Sequence, residues 1–259
     1  MLLVDIGNTR IKWAWWREGR IGPMHAAAHA GWSAESFARR ILGTRRARST
    51  RVVVASVAGG AVDRLFESAA RGVEGVDLRF VESERRAAGV TTRYREPWRL
   101  GVDRFVAAIG AHHLVGHRGA CVVNAGTTVT IDFVDTSGVH LGGLILPGPE
   151  LMVSSLERRT AGIALRAREN GSAGRRPSGS RNPFARSTRE AIWQGAWHAA
   201  AAAVERACAE ADERLGGAPL IVLTGGGAQR LERLIGARHV SVPDLVLRGI
   251  AVHAGLALR

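Results

Sequence analysis

The strongest constraint in this sequence is a plan that occurs twice. Near the N-terminus an apolar run, Leu3-Val4, meets a carboxylate and a glycine turn, Asp5-Ile6-Gly7-Asn8-Thr9, and then a second apolar run over residues 10–16. About half way along, Val122-Val123 leads into Asn124-Ala125-Gly126-Thr127-Thr128 and again into an apolar run that ends at Val134. Short β-branched runs bounded by turn residues read as strands. Each half therefore opens with a buried strand, a polar residue at its end, a glycine turn and a return strand. The pattern predicts an α/β protein of two matched halves, with the boundary near residues 116–119.

The remaining pattern fits that plan. Apolar spacing predicts helices over residues 33–42, 61–71 and 103–115, and buried strands over 51–57 and 78–82. In the second half, strands are expected at 119–123, 126–134 and 139–146, with 147–159 a loop entering a helix. Residues 166–186, rich in Gly, Ser, Pro and Arg, read as a mobile loop. An Ala-rich helix is expected over 188–215, with Thr188 as N-cap and Glu190 in its first turn. A strand over 220–224, a short strand over 240–242 and a helix over 245–258 close the chain.

Four segments carry groups that suit chemistry. The first is Asp5-Ile6-Gly7-Asn8-Thr9-Arg10-Ile11-Lys12: a strand-end carboxylate suits magnesium, and turn amides with Asn and Thr suit phosphate oxygens. An ordinary β-hairpin turn has the same letters. The second, Asn124-Ala125-Gly126-Thr127-Thr128, offers a close backbone approach and a hydroxyl, or simply a kinked strand. The third is Thr224-Gly225-Gly226-Gly227. Three glycines cost backbone entropy, and close packing on an adenine or ribose would be a reason for them; a plain loop is the alternative. The fourth, Gly101-Val102-Asp103-Arg104, sets a carboxylate for proton transfer beside a guanidinium for an anion; a helix-capping Asp with a surface Arg reads equally well. Neither GxxxxGK[ST] nor GxGxxG occurs.

In this order and spacing, the segments resemble the type III pantothenate kinases, of the acetate and sugar kinase/Hsp70/actin superfamily. Further carriers are Tyr94-Arg95-Glu96-Pro97, Gly142 to Gly148, Ser155-Leu156, Thr160-Ala161 and Thr188 to Ile192 with Gly195. The resemblance covers nearly the whole chain. It implies two ribonuclease H-like (actin-like ATPase) domains, 1–117 and 118–259, with a nucleotide cleft between them. It implies ATP-dependent phosphorylation of pantothenate to 4′-phosphopantothenate, the first step of coenzyme A synthesis. Carried over residue by residue, it makes Asp103 the general base. Asp5, Ile6, Gly7, Asn8, Thr9, Arg10, Ile11 and Lys12 handle ATP phosphate and magnesium, with Asp5 the magnesium position. Thr127, Gly225 and Gly226 contact ATP. Tyr94, Gly101, Val102, Asp103, Arg104 and Thr188 contact pantothenate. A homodimer is implied, whose second subunit helps to close the pantothenate pocket.

Two departures stand out. The family usually has Asp where this chain has Asn124, and there it binds potassium or ammonium. An amide oxygen ligates a cation without adding negative charge, so ion binding is expected to be weak or absent. The segment 166–186 is longer and more basic than the family's, and is expected to be disordered rather than a lid.

Composition narrows the rest. The 259 residues carry 36 basic side chains, all arginine but Lys12, and a formal charge of +13. That charge aids capture of two anionic substrates. It also fits nucleic acid, but the dense basic run at 39–51 has no interleaved aromatics of the kind that stack bases, so a nucleic-acid partner is not expected. Two cysteines, Cys121 and Cys208, exclude a disulfide framework and a cysteine zinc site. No apolar run approaches the about 18 residues of a membrane span, and the start lacks a signal-peptide pattern; a cytoplasmic protein is expected. The alternative from another class is a regulatory, transcription-accessory protein on the same scaffold. Retention of Asp5, Asp103, Arg104, Thr127 and Thr188 argues against it.

Overall fold

Both copies of the strand–turn–strand plan form hairpins in the computed structural model, which describes residues 1–43, 51–116, 118–160, 162, 165, 184–215 and 217–258. Strand β1 (Leu2–Ile6) pairs antiparallel with β2 (Arg10–Arg17), Asp5 lying opposite Lys12. Two short strands, β3 (Arg20–Ile21) and β4 (His25–Ala28), pair with β2 and were not legible in the sequence pattern. On its other side β1 pairs parallel with β5 (Arg51–Ser56), and β5 with β6 (Asp77–Phe80). In the second copy β9 (Ala120–Ala125) pairs antiparallel with β10 (Thr128–Val134) and parallel with β12 (Leu220–Thr224), which pairs parallel with β13 (His239–Ser241). The order β2-β1-β5-β6 thus recurs as β10-β9-β12-β13. A glycine turn can return the chain at once only into an antiparallel neighbour, and the parallel partners then need helical crossovers.

The chain divides into two units. One is Met1–Gly116 with Ser137–Leu141 and Asp244–Arg259, and the other is His117–Thr136 with Gly142–Pro243. The closing helix belongs to the first unit.

In the first unit, period-2 alternation sends Leu2, Val4 and Ile6 to one face of β1, where they pack with Phe37, Ile41 and Phe66. Phe37 and Ile41 come from α1 (Ala34–Phe37) and from a wider π turn over Ala38–Leu42, where one regular helix was expected. The Ser33 hydroxyl caps α1 by accepting Ser36 N–H at 3.3 Å. Phe66 comes from α2 (Gly60–Arg71). Leu3 and Asp5 point to the opposite face. There α3 (Val102–Val115) crosses the closing helix α7 (Leu245–His253). The helices meet at glycine: a Cβ on Gly249 would overlap the Val106 carbonyl oxygen. The helix expected over 245–258 stops at His253 because Gly255 takes φ +76°, and Leu256 N–H donates to Ala251 O at 3.0 Å. That is the six-to-one bond of a Schellman stop.

A hairpin of β7 (Arg86–Ala87) and β8 (Val90–Thr92) was also missed. Its turn, Ala88-Gly89, has both φ values positive, at 46° and 81°, and lacks the Asn-Gly letters that announce such turns. Strand β11 (Val139–Pro147) starts in the first unit, with His140 beside Thr92 of β8, and ends in the second.

The second unit packs its sheet against α5 (Thr188–Leu215). Trp197, Ala200, Ala201, Val204 and Cys208 form the helix stripe that meets Cys121, Val123 and Ala125 of β9. The N-cap of α5 is Ser187 rather than Thr188. Its Oγ accepts Glu190 N–H at 3.2 Å, while Glu190 accepts Arg186 N–H at 3.3 Å; Ser-x-x-Glu is the capping-box spacing. Helices α4 (Pro149–Arg159) and α6 (Ala228–Glu232) complete the unit. Residues 166–183 of the expected mobile loop, and 44–50 of the basic run, lie outside the described residues.

Candidate functional site

The first unit holds the sequence candidates from Asp5 to Lys12, Tyr94, and Gly101 to Arg104. Asp5, next to last in β1, lies on the face against which α7 packs, within reach of the Asp103 charge at the start of α3, and is 7% exposed. Its nearest cation is Lys12 Nζ at 3.8 Å, across the hairpin. That is too long for a hydrogen bond. Burial pushes the Asp5 carboxyl up to about 6; Lys12 pulls it back and the Asp103 carboxylate pushes it further up. The hairpin turn itself is closed by Gly7 N–H donating to Arg10 O at 3.0 Å. His29, which the sequence did not single out, meets the Gly7 carbonyl through Nε2 at 2.7 Å. The turn carrying Asn8 and Thr9 is therefore fixed from both sides.

Asp103 stands in the first turn of α3, after the N-cap Gly101. Its Oδ1 accepts Arg104 N–H at 2.9 Å, which suits an anion at a helix N-terminus. Arg104 is 5% exposed. It donates through Nη1 to the Tyr94 hydroxyl at 2.8 Å, with its guanidinium 5.7 Å from the Tyr94 ring centroid. Tyr94 in turn stacks on His140 at 5.9 Å between centroids. His140 Nδ1 lies 3.0 Å from Thr92 Oγ1, and that oxygen accepts Tyr94 N–H at 3.2 Å. Arg85 locks the same loop from outside, donating to the carbonyls of Thr92 (3.0 Å), Tyr94 (2.7 Å) and Arg95 (3.0 Å). Arg85, Thr92 and His140 escaped the sequence reading. One arginine among so many carries no signal, and a buried strand histidine reads as core. Val102 is buried at the helix start, whereas Trp98 on the same loop is 70% exposed.

The second unit holds the other candidates. The Thr127 turn is closed by Gly126 N–H donating to Thr128 O and by Gly148 N–H donating to Thr127 O, both at 2.9 Å. Gly227 N–H donates to Ala125 O at 2.9 Å, bringing the Gly225–Gly227 loop over the end of β9. Gly225 is obligatory there. Its φ is +91°, and a Cβ would stand 2.6 Å from Asn124 Oδ1 and overlap the Ala125 oxygen. Asn124, Thr127, Gly225 and Gly226 thus form one cluster at the ends of β9 and β12. Thr188 sits in the first turn of α5.

Among the described residues no group of three or more His, Cys, Asp or Glu forms a metal cage. A lone buried carboxylate such as Asp5 fits magnesium of the kind held by one or two carboxylates together with water and substrate phosphates. Its raised pKa marks a carboxylate that a divalent charge would stabilise.

A family model described as type III pantothenate kinase matches residues 1–210. The protein of Azoarcus sp. (strain BH72) named type III pantothenate kinase is 39% identical over 263 residues, covering 98% of this chain and 90% of its own. Among solved structures, a Baf family protein from Campylobacter jejuni matches with TM-score 0.58 and 18% identity, covering 98% of this chain and 99% of that one. A structure described as a 2-dehydro-3-deoxygalactonokinase from Sinorhizobium meliloti matches with TM-score 0.55 and 15% identity, covering 98% and 97%. At such identities the two structures speak for the fold alone, the two-domain α/β fold of sugar kinases and actin-like ATPases.

Proposed function

This chain belongs to the type III pantothenate kinase family, and from that premise we propose how its residues divide the work of moving the γ-phosphoryl group of ATP to the primary hydroxyl of pantothenate. The activity itself is that of an ATP-dependent kinase in coenzyme A biosynthesis. The observation that carries the assignment of roles is the chain of contacts from Asp103 through Arg104 to Tyr94, beside buried Asp5.

Phosphoryl transfer asks a protein mostly for positioning and charge. Asp103 takes the proton of the attacking hydroxyl, its Oδ1 oriented by the Arg104 amide. The Arg104 guanidinium, already held by Tyr94, recognises the pantothenate carboxylate, with Gly101 and Val102 beside it in the first unit; Thr188, in the second unit, is assigned to pantothenate by the family resemblance alone. The turn from Ile6 to Ile11, with Lys12, takes ATP phosphate in the first unit; the ATP contacts of Thr127, Gly225 and Gly226, in the second unit, are assigned by the family resemblance alone. Asp5 is the residue that would hold magnesium, which neutralises charge on the transferring phosphoryl group.

Asn124 replaces a charged cation ligand with a neutral amide whose oxygen faces Gly225. We therefore expect no requirement for potassium or ammonium. An ADP-release assay with ATP, magnesium and pantothenate tests both points. Turnover should depend on pantothenate and keep its rate when sodium replaces potassium; a rate that collapses without potassium overturns the Asn124 reading. Arg104→Lys should raise KM for pantothenate roughly 10- to 100-fold, the cost of a lost charge-assisted fork, with kcat less affected. An unchanged KM would place the carboxylate elsewhere.

We assign the working form as a homodimer. Leu144 and Ile145 of β11 are 47% and 61% exposed, and Leu151 and Leu156 of α4 are 37% and 38% exposed. A second copy would cover some of these exposed apolar side chains. The cytoplasm is the compartment that supplies ATP; no helix among the described residues is long and apolar enough to cross a membrane.

A further inference from the structure

The two cysteines lie far apart in sequence and together in the fold. Cys121, the second residue of β9, has no exposed surface, and Cys208, on the inner stripe of α5, is 8% exposed. Their thiols are hydrogen-bonded to each other, inside the cluster that joins helix to sheet. Cys208 also lines a cavity of about 470 Å³ at the edge of the second unit, together with Arg118, Arg238, Glu205 and Asp212. One sulfur therefore faces a solvent-reachable space and the other backs it from the dry side. None of the residues assigned to catalysis touches this pair.

We propose that Cys208 and Cys121 form a reversible peroxide-sensitive site, with Cys208 the reacting thiolate and Cys121 the resolving thiol. The Cys208 thiolate attacks one oxygen of a hydroperoxide ROOH. An S–O bond forms, the O–O bond breaks, and the departing RO⁻ takes a proton and leaves as ROH. Sulfur loses two electrons and the peroxide gains them, leaving Cys208 as sulfenic acid. Cys121 sulfur then attacks that sulfur and gives up its proton; hydroxide leaves as water and a disulfide remains. A dithiol reductant reverses the reaction.

The electrostatics divide the roles in the same sense. The hydrogen bond that Cys208 accepts from Cys121 draws its thiol below the usual range, against opposing effects of burial and of Glu205. The same bond, with burial, pushes the Cys121 thiol up. The guanidinium groups of Arg118 and Arg238 in the cavity favour an anion there and can hydrogen-bond a peroxide oxygen, while Glu205 and Asp212 limit that effect. The cross-link would tie the strand that carries Asn124 to the helix that starts at Thr188.

The full-length protein is treated with hydrogen peroxide under native conditions, then analysed by intact mass and by peptide mapping without reduction. The wild type should lose two hydrogens, yield a Cys121–Cys208 linked peptide, melt at a higher temperature, and return to its starting mass with dithiothreitol. Cys121→Ser should instead gain one oxygen at Cys208, captured by a sulfenic-acid reagent. Cys208→Ser should leave Cys121 unmodified. Oxidation that begins at Cys121, disulfides between separate chains, or native wild-type protein that resists peroxide while its unfolded chain reacts would each overturn the proposal. The serine variants keep the size of the side chain, and a melting curve before peroxide shows whether each is folded.

Discussion

Asp103→Asn should lower kcat for pantothenate phosphorylation by roughly 10²–10⁴-fold, the span usual for loss of a general base. The substitution is nearly isosteric, and the amide oxygen can still accept the Arg104 N–H that Oδ1 accepts at 2.9 Å. The Arg104–Tyr94 contact does not involve the carboxylate, so KM for pantothenate should change little. Stability should fall by only about 0.3–1 kcal/mol, the worth of a charge near a helix N-terminus. A second readout separates the base from a structural role. Asp103 pushes the Asp5 carboxyl upward, so removing its charge should lower the pKa of Asp5, visible by NMR titration of the carboxyl carbon. A variant that retains near wild-type kcat with that shift present would show that Asp103 is close to Asp5 but takes no proton.

The sequence made the doubled plan legible because its signals are local. An apolar strand, a polar end and a glycine turn announce a hairpin within about ten letters, and both β1–β2 and β9–β10 formed where these letters lie. The long helix α5 occupied the residues expected of it, since alanine-rich periodicity needs no distant partner. What the pattern missed depends on contacts far apart in sequence. Strand β8 is ordered by β11, with His140 against Thr92. The Tyr94 loop owes its shape to three bonds from Arg85, a residue with no distinguishing neighbours. The helix end at His253 and the cap at Ser187 turned on single positions, a glycine with positive φ and a hydroxyl three residues before Glu190. At the site, the letters named Asp5, Asp103, Arg104 and Tyr94; only burial and distance give Asp5 its unusual protonation and Arg104 its fixed direction.

Asp5→Asn should make the ligand-free protein more stable at neutral pH and a far poorer kinase. The carboxyl binds its proton more tightly in the fold than in the unfolded chain, with a pKa raised from 3.8 to about 6. Between those values the native state keeps a proton that the unfolded state has lost. Stability therefore falls as pH rises through that window, and the whole cost remains at pH 7. A rise from 3.8 to about 6 corresponds to about 3 kcal/mol, a sizeable part of the roughly 5–15 kcal/mol of a typical domain. That figure already contains the attraction of Lys12 at 3.8 Å. Asparagine mimics the protonated acid without the titration. Its denaturation midpoint should exceed the wild type's at pH 7.5, and the difference should close below about pH 4. Turnover at saturating pantothenate should fall at least roughly 10- to 100-fold, as when a metal site loses a group that holds it. A variant as stable as wild type at every pH would mean that Asp5 ionises without strain and that Lys12 alone satisfies it. A stable variant with full activity would remove Asp5 from the magnesium position. A gain in stability joined to a loss of turnover is what a buried carboxylate that holds magnesium requires, because a bound divalent cation would offset the cost of keeping the ionised group out of water.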